Sequence, residues 1–203
     1  MPIKLGITGG IGSGKSVVSR LLEIMGVPVY LSDAESKRLT ATDSHIRREL
    51  IALLGEEVYP NGELNKPLLA NALFSDPEQA RKINSVIHPC VKEDFRQWVE
   101  KHKDAPLIAL EAAILIEAGF AGEVDYIVMV YAPMDIRIER AMKRDASPRE
   151  EIVRRIRHQM SDEEKKAKAH YTILNDGAQA IIPQVEELLN TFTHNIIETK
   201  LNI

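Results

Sequence analysis

The residues Gly9-Gly10-Ile11-Gly12-Ser13-Gly14-Lys15-Ser16 have types and spacing suited to holding a chain of phosphates. They fit G-x-x-x-x-G-K-[ST] at every fixed position, between a short apolar segment and a run with helical spacing, the context that pattern requires. Glycines let the backbone curl so that successive N–H groups point inward, and the helix that follows adds its partially positive N-terminus. Lys15 can reach the β- and γ-phosphates, and Ser16 can place its hydroxyl on magnesium. ATP and Mg2+ are therefore the expected ligands, with Gly10, Ile11, Gly12, Ser13, Gly14, Lys15, Ser16 and Val17 as the nucleotide contacts and Ser16 as the metal ligand. The complete match in the right context disfavours a glycine-rich turn that merely closes a strand–helix unit.

Phosphate binding alone does not separate a switch, a motor and a kinase. A guanine-reading N-K-x-D is missing, since Asn175-Asp176-Gly177 lacks the Lys. A motor usually needs a longer chain and a strand ending in adjacent acidic residues. A small-molecule kinase needs an acceptor base and mobile cations, and both have candidates. Asp33 follows the apolar run Val27 to Leu31, at the strand edge where such sheets bind ligands, and is expected beside the phosphate loop. A carboxylate there can act as base for an acceptor hydroxyl, or Ser32 and Asp33 can cap a helix; the two roles are compatible. Glu111 ends the apolar run Leu107 to Leu110 and can hold magnesium through water, with Glu117 six residues on; both read equally as ordinary helix-start carboxylates. Arg137, Arg140 and Arg144 share a helical face, and a second helix from Pro148 carries Arg154, Arg155 and Arg157. Such a hairpin could close over the γ-phosphate as a lid, or it could be a solvated face paired with Glu139, Glu150 and Glu151.

The elements that position these residues follow from periodicity. Strands are expected at 3–8, 27–31, 107–110, 126–131 and 171–174. Helices are expected at about 14–25, after Ser32, at 133–144, 148–160 and 161–169, and from Ala178 to Phe192, with no clear pattern in the last ten residues. Strands alternating with helices imply an α/β fold, a mainly parallel sheet covered on both faces. Between Ser44 and His102 strand signals vanish, and amphipathic helices follow one another with boundary marks at Pro60-Asn61-Gly62, Lys66-Pro67, Asp76-Pro77 and His88-Pro89.

At 203 residues the chain can bury one sizeable core and has room for an inserted subdomain, and 44% hydrophobic with 28% charged residues argues against disorder. The net charge of −4 gives no reason to expect a nucleic-acid partner, and no apolar run is long enough to cross a bilayer. The single cysteine, Cys90, fits a reducing compartment and reads as a small buried apolar residue or, less simply, a nucleophile. The N-terminus runs from a short apolar segment into the glycine loop, unlike a signal peptide, so a cytoplasmic protein is expected.

Taken together, residues 5 to 190 resemble the dephospho-CoA kinase family. The segment Leu5 to Ser16 is close to that family's characteristic start, Val29 to Asp33 matches the region of its acceptor-side aspartate, and Ile87-His88-Pro89 looks like its His-Pro element. Ile114-Leu115-Ile116-Glu117-Ala118-Gly119 is similar to its leucine-rich segment, Arg140 to Asp145 and Arg155 to Gln159 resemble its lid, and Asn175-Asp176-Gly177 its adenine-side loop. The resemblance implies a P-loop kinase that phosphorylates the 3′-hydroxyl of the ribose of dephospho-CoA with ATP. Asp33 is then the base, Lys15 and Arg140 stabilise the transferring group, and Arg144 and Asn175 join the nucleotide site. Thr8, Asp33, His88, Glu111 and Leu115 are implied on the substrate side. Residues 1–43, 103–132 and 170–203 become the nucleotide-binding core, 44–102 a helical CoA-binding region and 133–169 the lid, with small molecules as partners and no obligate protein partner.

Three positions depart from the family's pattern. Leu31 stands where a second Asp is frequent, Glu111-Ala112-Ala113 replaces Asp-x-Pro, and Ala169-His170 replaces Ala-Asp. Two other readings use the same loop: a nucleoside, nucleotide or shikimate-type kinase, and a regulatory protein that only senses ATP. The length of the insertion speaks against the first and the acceptor carboxylate against the second.

Overall fold

The computed structural model describes residues 1–201, with side chains described as far as Phe192. Contacts divide these residues into two compact units, Met1–Leu31 with Val99 onward, and Ser32–Trp98.

The first unit is built on a parallel sheet of β1 (Ile3–Thr8), β2 (Val29–Leu31), β3 (Leu107–Glu111), β4 (Tyr126–Tyr131) and β5 (Tyr171–Leu174), in the order β2-β3-β1-β4-β5. Strands β1, β3 and β4 are near-continuous apolar runs because helices or loops cover both faces, which removes the alternation an exposed sheet would show. On one face, Leu5, Ile7, Leu107, Ala109, Val128, Val130 and Ile173 pack against α1 (Lys15–Ile24) and α9 (Ile181–Leu201) through Val18, Leu22, Val185, Leu188 and Phe192. On the other, Leu115 and Val124 close on Gly6, where a Cβ would collide with the Leu115 methyl at 2.6 Å.

Strand order changes one expectation. The edge of β2 was expected beside the phosphate loop, but β3 lies between β2 and β1, in register from Ile3 opposite Leu107 to Ile7 opposite Glu111. The chain leaves β1, skips one sheet position and fills it later, so consecutive strands are not neighbours. Glu111, not the end of β2, therefore stands beside the strand that feeds the loop.

Residues 133–169 hold α6 (Met134–Asp145), α7 (Arg149–Arg157) and α8 (Asp162–Lys168). Ala146 turns the chain between the first two with φ 50°, and Ser161 with Glu164 makes a reciprocal capping box that starts α8. The His170 imidazole lies just before β5. Its Nδ1 accepts the Ile127 N–H at 2.9 Å, and the His170 backbone N–H donates to the Ile127 carbonyl at 2.8 Å. The closing helix, expected to stop at Phe192, runs on to Leu201. Propagation adds a hydrogen bond per residue without needing an amphipathic stripe, and no Gly or Pro follows Pro183 to stop it.

The second unit holds α2 (Ser32–Thr42), α3 (Ser44–Leu54), α4 (Lys66–Ser75) and most of α5 (Pro77–Lys101). Asp43 caps α3 by accepting from Ile46 N at 2.9 Å, and Asn65 caps α4 from Leu68 N at 3.2 Å. Arg38 of α2 pairs with Asp94 of α5 at 2.7 Å, and the Tyr59 hydroxyl donates to the Thr40 carbonyl at 2.6 Å. His88-Pro89 was expected to mark a helix boundary, yet α5 continues through Pro89. Ile83, Ile87, Val91 and Phe95 form one buried stripe at four-residue spacing, each worth about 1.5–3 kcal/mol of apolar burial. That outweighs an interior proline's cost of about 3 kcal/mol. Cys90 is half-buried on the same helix, and burial followed by the Asp43 charge pushes its thiol up, away from the reactive thiolate.

Leu115→Ala should destabilise the protein by about 2–5 kcal/mol, because the side chain is wholly buried against a glycine and no neighbour can collapse into the space. Denaturant titration checks this; an unchanged midpoint would place Leu115 outside the core.

Candidate active site

The sequence Gly9 to Ser16 joins β1 to α1 and turns back on itself at Ser13, whose N–H donates to the Gly10 carbonyl at 3.1 Å. Two glycines show why the loop has its composition. Gly12 has φ 77°, and a Cβ there would strike the Arg137 backbone; at Gly10 a Cβ would run into the Arg137 guanidinium. Lys15 is buried, and its ammonium group donates to the carbonyls of Gly9 at 2.9 Å and Gly10 at 3.3 Å. Helix α1 starts at Lys15, so its first N–H groups and its positive end face the loop. Val17 and Ser16 are exposed in that first turn.

The Ser16 hydroxyl donates to Glu111 Oε1 at 3.4 Å. This brings a loop hydroxyl and a strand-end carboxylate together, two hard oxygen donors of the kind magnesium takes alongside water and phosphate oxygens. Three buried hydroxyls, Thr8 Oγ1, Ser13 Oγ and Ser19 Oγ of α1, have no hydrogen-bond partner among the described residues. A buried polar group without a partner is costly, and at the end of β1 a bound ligand is what could satisfy the Thr8 hydroxyl.

Late in the chain, Asn175 follows β5. Its side-chain amide donates to the Ser13 carbonyl at 2.8 Å. Arg140 of α6 donates to the Asn175 carbonyl at 3.0 Å and to its Oδ1 at 3.4 Å. Asn175 therefore connects the loop to the lid cation. Arg144 is held by its neighbour Asp145, Nε to Oδ1 at 2.7 Å, and Arg155 of α7 reaches the same carboxylate at 2.7 Å. The hydrogen bond from Arg144, then that from Arg155, hold the Asp145 carboxyl well below the usual carboxylate range, and Asp145 raises Arg144 in turn. The hairpin α6–α7 is thereby stapled by charge and by a small core of Ile138, Ala141 and Ile152.

Asp33 is exposed in the first turn of α2, where the helix dipole favours a carboxylate. His88 lies half-buried on α5, and burial, then Lys92, hold its imidazole below the ordinary value. The Leu115 side chain is 0% exposed and packs over Gly6. Glu117 starts no helix; it pairs with the fully buried Lys165 at 3.1 Å and accepts the Met160 N–H at 3.0 Å. Lys165 also donates to the Ala113 carbonyl at 3.0 Å. Sequence reasoning missed Lys165, Asp162 and the inward role of Arg137. A lysine among charged neighbours in a seven-residue helix carries no signal of burial, whereas Arg137 could have been suspected from the apolar Ile138 and Ala141 around it.

Gly10→Ala should displace the Arg137 guanidinium and weaken ATP binding at least about tenfold, whereas Gly122→Ala, with open space and no positive φ, should bind normally. Calorimetric titration separates the two; equal affinities would remove the steric argument for the loop.

With this geometry established, comparison with known proteins is informative. The family model described as dephospho-CoA kinase matches residues 3–180. A Bacteroides fragilis protein named dephospho-CoA kinase is 60% identical over 190 residues, spanning 93% of this chain and 92% of that protein. A crystal structure from Thermus thermophilus matches with a TM-score of 0.81 at 35% identity, covering 96% of this chain and 97% of that one. A dephospho-CoA kinase structure from Campylobacter jejuni, at 18% identity, 96% and 99% coverage and a TM-score of 0.71, shares the fold.

Proposed function

Because the chain belongs to the dephospho-CoA kinase family, we propose that it transfers the γ-phosphoryl group of ATP to the ribose 3′-hydroxyl of dephospho-CoA, giving coenzyme A and ADP. The single observation that carries the phosphotransferase reading is the Ser16–Glu111 contact at the mouth of the glycine loop, with buried Lys15 inside it. Magnesium fits that pair of oxygens, and when bound it neutralises charge on the β- and γ-phosphates.

In the proposed reaction the 3′-oxygen attacks the γ-phosphorus while Asp33 takes the hydroxyl proton. The bond from the γ-phosphorus to the β–γ bridging oxygen breaks, and its electron pair leaves with ADP. Lys15 leaves the Gly9 and Gly10 carbonyls for the β- and γ-phosphates. Arg140 leaves Asn175 to meet charge spreading over the transferring group. Loop N–H groups hold the phosphates, and Val17, Arg144 and Asn175 complete the nucleotide side. Thr8, Glu111, His88 and Leu115 serve the acceptor. Residues 44–102 hold the pantetheine-bearing substrate, 133–169 act as lid, and the remainder binds nucleotide. The partners are small molecules and the setting cytoplasmic; no helix of the described residues is long and apolar enough to cross a membrane.

Asp33→Asn tests the assignment. With dephospho-CoA and ATP it should keep nucleotide affinity and lose about 10²- to 10⁴-fold in kcat, the usual contribution of a positioned base. Normal kcat with reduced stability would mean that Asp33 serves its helix and not the acceptor.

A further inference from the structure

One residue of the phosphate loop is gripped on three sides by the lid segment. The Ile11 N–H donates to Gln159 Oε1 at 3.1 Å, and its carbonyl accepts from Arg137 Nε at 2.9 Å. Its side chain packs against the lid's small core of Ile138, Ala141 and Ile152. Arg137 is only 3% exposed and is paired with Asp162 at the start of α8. Gln159 lies in the short connection between α7 and α8, and Asp162 lies three residues further on. Helix α6 and the α7–α8 connection thus both end on the same loop residue.

These contacts do not serve the nucleotide directly. A free loop N–H would be a phosphate donor, yet that of Ile11 is directed to a neutral amide oxygen. The curl of the loop also leaves no room for a Cβ at Gly10 or Gly12 because Arg137 fills that space. A loop so placed cannot change its curvature without moving α6, and α6 cannot swing without pulling on Ile11.

We propose that Arg137, Asp162 and Gln159 are positioning residues that hold the Ile11 peptide unit, so that the lid and the tip of the phosphate loop move as one body. The arrangement sets ATP affinity from outside the phosphate contacts. It rests on the kinase reading only in taking the loop's ligand to be a nucleoside triphosphate. Closing the lid therefore reshapes the cradle as well as covering it, and acceptor binding is left untouched.

The experiment measures ATP·Mg binding by calorimetry without any acceptor, beside KM values and thermal unfolding, for the full-length chain. Gln159→Ala should weaken ATP about five- to tenfold, the effect of losing one partly buried hydrogen bond. The KM for dephospho-CoA should stay within about twofold and the unfolding midpoint within about 2 °C. Asp162→Ala should weaken ATP at least as much, whereas Asp162→Asn, which still accepts from Arg137, should recover most of the affinity. Arg137→Ala is avoided because the buried guanidinium invites misfolding. Wild-type ATP affinity in both alanine variants, or a loss seen only in the unfolding midpoint, would overturn the proposal. A wild-type chain that binds ATP but leaves dephospho-CoA unchanged would instead defeat the assigned acceptor and leave this test intact.

Discussion

The curl of the six residues between β1 and α1 is the constraint from which the rest of the first unit follows. To turn successive N–H groups inward, the loop must pass so close to its surroundings that side chains are excluded at Gly10 and Gly12. The space they vacate is filled by Arg137, while Asn175 holds the Ser13 carbonyl from the far side. The loop is thus shaped by residues more than 100 positions away in sequence. The sheet brings them together by placing β4 and β5 in order beside β1.

Strand order then decides which acid lies beside the loop. Because β3 sits next to β1, its terminal carboxylate meets the loop hydroxyl, and the end of β2 lies one strand further out. A glutamate at this position, longer than the aspartate expected of the family, reaches Ser16 at 3.4 Å.

Much of this was legible in the residues because the signals were local. The glycine loop announced itself through spacing, and the apolar runs at 107–110, 126–131 and 171–174 gave the strands within one residue. The helical hairpin α6–α7 showed through its arginine periodicity. What escaped was decided by contacts distant in sequence. Nothing local says that β3 inserts between β1 and β2, that Lys165 is buried on Glu117, or that α5 survives Pro89. Those outcomes depend on which apolar stripes and charges find each other across the fold. A leucine in a family-like segment fits a pocket wall and a core equally well, and the Leu115 side chain lies in the core.

Acceptor choice is the most direct test, using ADP release with ATP and magnesium in parallel reactions containing dephospho-CoA, adenosine, AMP or shikimate. The account predicts turnover with dephospho-CoA alone, with coenzyme A as the product. Turnover with another acceptor, or none despite tight ATP binding, would contradict it.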